Sequence, residues 1–132
     1  MGTGGNSGNQ VSTLIIRGLA LNEIKIKDYF RILWKEIRVS FIAGLILAVA
    51  TYGRMLAIRA ATGGDTTNSV ILVVSLSVAA VVMVSKTIGC TLPIVAKIFK
   101  LDPALMAGPL ITTLVDAISL IIYFGFAKAL LI

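Results

Sequence analysis

The stretch DPALMAGPLITTLVDAISLIIYFGFAKALLI, residues 102–132, decides the fold. Between Ala104 and Ala127 it carries a single charge, Asp116. A helix crossing the hydrocarbon core of a bilayer needs about 20 predominantly apolar residues, and this run supplies them. Asp102 suits an N-cap and Pro103 suits the first helical position, so a span is predicted over 103–131. Pro109 then falls inside that helix. It cannot donate a hydrogen bond and its ring meets the carbonyl of Leu105, which leaves that carbonyl to a neighbour, a water or an ion.

Two more spans are predicted upstream. One runs over about 70–96, rich in Val and small residues and interrupted by Lys86, and the other over about 39–56, with Arg54 and Arg59 at its far end. The loop Thr62–Ser69 separates them, with Gly63-Gly64 and helix-capping residues. Residues 22–38 are charged, yet Tyr29, Phe30, Leu33, Trp34 and Ile37 recur at intervals of three and four. That spacing predicts a short amphipathic helix lying on the membrane surface, with Trp34 at headgroup depth. Before it, residues 6–21 read as a partial helix, too short in apolar length to cross alone. The fold class is thus an all-α membrane protein. It is a helical bundle with three complete transmembrane helices, a partial N-terminal helix and a short interfacial helix, all in one transmembrane domain.

Composition excludes most alternatives. Hydrophobic residues make up 58% of the 132 residues and charged residues 14%, against about 45–50% and about 25% in soluble domains. The chain has no histidine, which removes histidine-based catalysis and ligation, and one cysteine, Cys90, which precludes an internal disulfide and reads as a small buried hydrophobe. The net charge of +6 does not point to nucleic acid, because the few aromatics do not interleave with a basic stripe. Met1–Gln10 lacks the charged and apolar regions of a signal peptide. The basic residues flank apolar runs instead. With segment 22–38 inside, eight basic residues (Arg17, Lys25, Lys27, Arg31, Lys35, Arg38, Lys97, Lys100) face the cytoplasm. Arg54, Arg59 and Lys128 face out, which places the C-terminus on the outer side.

Asp116 carries the functional argument. A carboxylate near the bilayer midplane costs roughly 2.5–3.5 kcal/mol on insertion scales, so it faces a cavity or the bundle interior. Gly108 and Thr112 precede it at intervals of four, forming one stripe on the helix. Asn6, Asn9 and Thr13, with Gln10 adjacent, form a second polar stripe. Their oxygens suit a hard cation or its water, and they equally suit helix–helix hydrogen bonding. Lys86 either snorkels towards an interface along its long stem or pairs with an acidic group, and snorkelling is the expectation. A buried, structural Asp116 is the plain alternative to ion or proton handling.

The segments Gly5-Asn6-Ser7-Gly8-Asn9-Gln10, Ser12-Thr13-Leu14 and Arg17-Gly18-Leu19-Ala20-Leu21 resemble the second transmembrane helix of the MgtE family of magnesium transporters. Gly89, Leu92-Pro93, Asp102-Pro103-Ala104, Pro109, Thr113-Leu114 and Asp116 resemble that family's last two helices. The resemblance covers nearly the whole chain. It implies a homodimeric channel of the cytoplasmic membrane with Mg2+ as the transported ion and no organic cofactor. It also implies five transmembrane helices per subunit, preceded by cytoplasmic sensing domains, and a pore at the dimer interface. By the same resemblance Asp116 is the central ion-site residue and Thr112 contributes through its backbone carbonyl. Asn9 and Thr13 line the pore, Asp102 sits at the cytoplasmic mouth, and Gly108 acts through backbone or water. This chain starts inside the family's second helix, so the first helix and the sensing domains lie outside it. Magnesium dehydrates reluctantly and keeps several waters; two copies of Asp116 across a two-fold axis would supply two charges to a hydrated ion. The competing classes are a proton-coupled carrier and an accessory structural membrane subunit. An enzyme is the weakest reading, since no nucleophile–base pair is visible.

Overall fold

The computed structural model describes residues 2–132. Four helices make the bundle: α1 (Gly2–Ala20), α2 (Tyr29–Thr62), α3 (Asn68–Ile98) and α4 (Pro109–Leu131). Single 3-10 turns, Ile26–Asp28 and Pro103–Met106, precede α2 and α4. Three segments, Ile26–Thr62, Asn68–Ile98 and Pro103–Leu131, are long and apolar enough to cross a membrane. The all-α membrane fold read from the sequence is the fold observed.

Helix α3 is the centre of the bundle and packs on each of the other three. It buries Ile71, Val73, Val82, Cys90 and Ile94, whereas α2 buries only Ser40 and Gly44 and α4 only Ile111, Val115 and Ser119. The serines of this core are not stray polar groups. Ser75 donates to Ile71 O (2.8 Å), Ser77 to Val73 O (2.7 Å) and Ser119 to Val115 O (2.6 Å). Each hydroxyl bonds back to its own helix, so small side chains can sit between helices without an unpaired donor.

Three boundaries differ from the sequence reading. First, α1 begins at Gly2 rather than at residue 6. Glycine is about 1 kcal/mol worse than alanine in a helix, but Gly4, Gly5 and Gly8 are buried at the contact with α3 and α4. Close approach of backbones there outweighs propensity. Second, no separate surface helix exists: residues from Tyr29 onward run straight into the span as one helix of 34 residues. At 1.5 Å per residue it is ~51 Å long, so it projects ~20 Å beyond a ~30 Å hydrocarbon core. Amphipathicity ended at Arg38 because the surroundings change there, whereas nothing breaks the helix until Gly63, at φ 64°. Third, Pro109 is not inside a helix. The chain leaves helical geometry at Ala107 (φ −121°, ψ 170°) and Gly108 (φ 60°, ψ −125°), and Pro109 opens α4. A residue before proline disfavours the α region, and proline at the first helical position costs no hydrogen bond. The carbonyl of Leu105 is therefore not orphaned by the proline ring.

Lys86 does not snorkel either. It lies on the face of α3 packed against α2, and its Nζ meets Glu36 Oε2 at 3.9 Å. Further towards the α3 C-terminus, Tyr29 and Thr91 share a hydrogen bond of 2.9 Å between hydroxyls. At the end of α3, Lys100 takes φ 58°, and Leu101 N–H donates to Ala96 O (2.8 Å) while Lys100 N–H donates to Lys97 O (3.1 Å). This Schellman closure satisfies the last carbonyls before the chain turns into α4.

Candidate functional site

Helices α1 and α4 run antiparallel and meet along a line of small and polar residues. A Cβ placed on Gly5 would contact Thr112, Asn9 bonds Gly108, and Ser12 bonds Met106. The break before α4 is thus held from α1. Asn9 Oδ1 accepts from Gly108 N–H at 2.9 Å, and Ser12 Oγ donates to Met106 O at 2.6 Å. Gly108 O in turn accepts both the N–H (3.1 Å) and the hydroxyl (3.0 Å) of Thr112. These groups are backbone atoms of a helix end and its turn, which within a membrane cannot go unpaired without a cost of several kcal/mol.

Asp116 lies one turn further along α4 from Thr112. Its side chain is partly buried, and Oδ1 is buried with no hydrogen-bond partner among the described residues. Among the described residues no group of three or more His, Cys, Asp or Glu side chains converges to hold a metal ion. The protein therefore does not surround an ion here with carboxylates of its own chain.

Of the residues singled out from the sequence, the structure brings four into one continuous strip: Asn9, Gly108, Thr112 and, a turn on, Asp116. Thr13 sits a turn from Asn9 and its hydroxyl donates to Asn9 O (2.8 Å). Asp102 is elsewhere. It is exposed, its Oδ1 accepts from Ala104 N–H (3.0 Å), and with Lys97, Pro103, Ile16 and Ala20 it lines a cavity of about 310 Å³ at the other end of α1. Its capping role holds only for the 3-10 turn. Sequence reasoning passed over Ser12, which is fully buried and anchors the turn before α4. A buried serine beside the Asn9 stripe was the available signal.

Helix α1 also shows a polar face that nothing in the bundle covers. Thr3, Asn6, Gln10, Thr13 and Arg17 are all exposed and follow each other at three- and four-residue spacing. Side chains of this kind on an outward face do not suit acyl chains, so this face is built for water or for polar protein. On α4 the neighbouring exposed positions include Thr113 and Ala117.

Gly108 is the strained point of the strip. No L side chain adopts φ 60° with ψ −125° comfortably, although a Cβ there would meet no atom within 4 Å. Gly108→Ala is expected to lower stability by about 1–3 kcal/mol through backbone strain alone. Thermal unfolding in detergent measures it, and an unchanged transition would mean that the turn adapts at no cost.

The family model described as MgtE, divalent cation transporter, matches residues 1–126. The chain is 36% identical over 131 residues to the magnesium transporter MgtE of Thermus thermophilus, covering 99% of this chain and 28% of that protein. It is 36% identical over 129 residues to the magnesium transporter MgtE of Bacillus subtilis, covering 97% and 27%. With the magnesium transporter MgtE of Enterococcus faecalis it shares 28% over 128 residues, covering 96% and 27%. The chain thus spans little more than a quarter of the length of these curated relatives.

Proposed function

Because the chain belongs to the MgtE family of divalent cation transporters, we propose that it forms part of a transmembrane magnesium pathway, lined by α1 and α4 at a two-fold interface with a second copy. The observation that carries this reading is the buried, unpartnered Oδ1 of Asp116. An acceptor without a donor, in the membrane and beside a polar strip, is suited to the waters of a hydrated cation.

The hydrogen bonds of the strip determine what such an ion would meet. Waters on a magnesium ion point their protons outward, so the pathway must offer acceptors. The hydroxyl protons of Thr112 and Thr13 are committed to Gly108 O and Asn9 O. Their oxygen lone pairs are left for incoming donors. Asn9 has its oxygen committed to Gly108 N–H, so it acts by positioning the turn rather than by lining alone. The Thr112 carbonyl accepts within the helical ladder and keeps a second lone pair. Gly108 has no side chain to offer and leaves open space. Asp102, at the far end of α1 from Asp116, sits at the cytoplasmic mouth in the orientation set by the charge count, with the C-terminus outside.

A single carboxylate per chain is few for a divalent ion, and a second copy doubles it. Both the exposed polar face of α1 and the partly open flank of α4 are available for that contact. Magnesium keeps most of its waters and is held by one or two carboxylates. Few direct ligands also favour release, which conduction needs as much as entry. The relatives are longer than this chain, and the first helix and sensing domains that the resemblance implies would add gating. In this reading the chain is a transporter and no enzyme.

The test is a magnesium titration of the detergent-solubilised chain followed by amide NMR shifts. Saturable shifts centred on Asp116, Thr112 and Thr13 are expected. Shifts that never saturate, or that scatter over Glu23, Asp28 and Asp65, would overturn the site. Magnesium-insensitive, pH-dependent flux would move the function to a proton-coupled carrier.

A further inference from the structure

The outward face at the start of α2 is unusual in how its charges are sorted. Lys27, in the 3-10 turn Ile26–Asp28, and Arg31, Lys35 and Arg38 of α2 are all exposed, and helical spacing puts the last three within about a sixth of the circumference. The acids of the same segment make no ion pair with them within 4.0 Å. Glu36 reaches inward to Lys86, and Asp28 Oδ2 accepts from Lys25 N–H at 3.1 Å. Among the described residues the Glu36–Lys86 pair is the one ion pair within 4.0 Å, so none of the four basic side chains is tied to a carboxylate, and with Asp28 beside them the row stays net positive.

The same face has an apolar continuation. Phe30 (78% exposed), Trp34 (61%) and Phe41 (58%) flank the basic row, and Arg38 lies over the Trp34 ring at 5.8 Å. One and two turns further along, Ile42, Leu45, Ile46 and Val49 are exposed. The helix is unbroken through all of them. A molecule lying along it would meet cations first, then aromatic rings, then an aliphatic strip. Helix α2 packs on α3 and makes no contact with α4, so the α1–α4 interface proposed above leaves this face free.

We propose that the start of α2 is a binding site for a phospholipid with a negatively charged headgroup. The headgroup engages Lys27, Arg31, Lys35 and Arg38, and an acyl chain lies along Ile42, Leu45 and Val49. Charge complementarity selects the occupant. Juxtamembrane basic clusters attract anionic lipids and lose that attraction beyond a Debye length, and guanidinium groups bind phosphate bidentately. The long helix sets the depth: ~12 Å separates Arg38 from Ile46, a distance that leads from the headgroups into the hydrocarbon. An acidic protein surface would satisfy the cations but not the exposed aliphatic strip below them.

Trp34 is the only tryptophan in the chain and sits within the patch, so it reports directly. The whole chain is reconstituted into phosphatidylcholine vesicles containing either brominated phosphatidylglycerol or the same mole fraction of brominated phosphatidylcholine. Brominated phosphatidylglycerol is expected to quench Trp34 about threefold more strongly at low salt, with the preference fading as salt rises. Arg31→Gln with Lys35→Gln, which spares the Arg38 stack on the reporter, is expected to bring the preference close to one. Equal quenching by the two lipids in the wild type would overturn the proposal and leave the face to an acidic protein. A preference that survives in the double variant would overturn the residue assignment.

Discussion

Asp116→Asn is expected to weaken magnesium binding by at least about twentyfold. The bound follows from elementary electrostatics. A water-mediated carboxylate lies ~4.5 Å from the ion, combining a ~2.1 Å metal–oxygen bond with a ~2.7 Å hydrogen bond. Even at the dielectric constant of bulk water, a unit charge attracts a divalent ion at that distance by ~1.8 kcal/mol, and about 1.4 kcal/mol is a factor of ten in affinity. A less polarisable surrounding raises the loss. The same substitution is expected to leave folding intact, because Oδ1 accepts no hydrogen bond from the protein. Removing a charge from such a place relieves a burial cost rather than breaking a contact. Titration and thermal unfolding on the same preparation separate the two. Lost affinity with an unchanged or raised transition supports an ion site. Retained affinity with a lowered transition would make Asp116 a structural residue and the chain an accessory subunit.

Gly89→Ala is expected to detach α1 from α3. A Cβ on Gly89 would fall onto the carbonyl oxygen of Gly8, and one on Gly8 would stand 3.0 Å from Ser85 O. Both obstacles are backbone, so no flexible side chain can move aside. Overpacking of this kind costs typically 1–3 kcal/mol, and the upper end applies because neither partner can yield. Cys90, adjacent to Gly89, is fully buried and clusters with Val11, Ile15, Leu19 and Ile94. Its thiol therefore measures the opening. Labelling of this sole cysteine should accelerate about 10–100-fold, the factor equivalent to ~1.4–2.8 kcal/mol of easier opening. An unchanged labelling rate would show that the helices separate without exposing the cluster, or that the contact is looser than it looks.

What could be read beforehand divides along physical lines. The spans were legible because apolar runs long enough to cross a bilayer have few other uses. Asp116 stood out because one carboxylate among apolar residues is costly. Asn9, Thr112 and Gly108 were marked by helical spacing and by the family resemblance, yet their link came by another route. Asn9 bonds Gly108 across 99 residues of sequence, and no spacing rule sees that. The Gly108-Pro109 pair is itself a breaker signal, hidden by the surrounding apolar run, which looked continuous. Propensity misjudged the start of α1, where Gly4, Gly5 and Gly8 weaken an isolated helix but let it sit close to its neighbours. Periodicity misjudged α2, since a change in amphipathicity marks a change of solvent and not the end of a helix. An acidic partner was one of two readings for Lys86, but that Glu36 supplies it shows only once α2 and α3 lie side by side.

The two hydrogen bonds that tie the first helix to the turn before the last also set a schedule. Their partners are separated by 94 and 99 residues. At a synthesis rate of about 5–20 residues per second, roughly 5–20 s elapse between the emergence of Asn9 and Ser12 and that of Met106 and Gly108. Thr13 is closed on its own helix at once, but the bonds that Asn9 and Ser12 make to the turn before α4 wait until Met106 and Gly108 have been made. During that interval α1 has its α3 contact at most, and α4 completes its packing when it emerges. Packing of α1 is therefore completed only at its strip with α4, and a chain that stops short of Gly108 leaves α1 in the membrane with unmet polar groups, a natural mark for quality-control proteolysis.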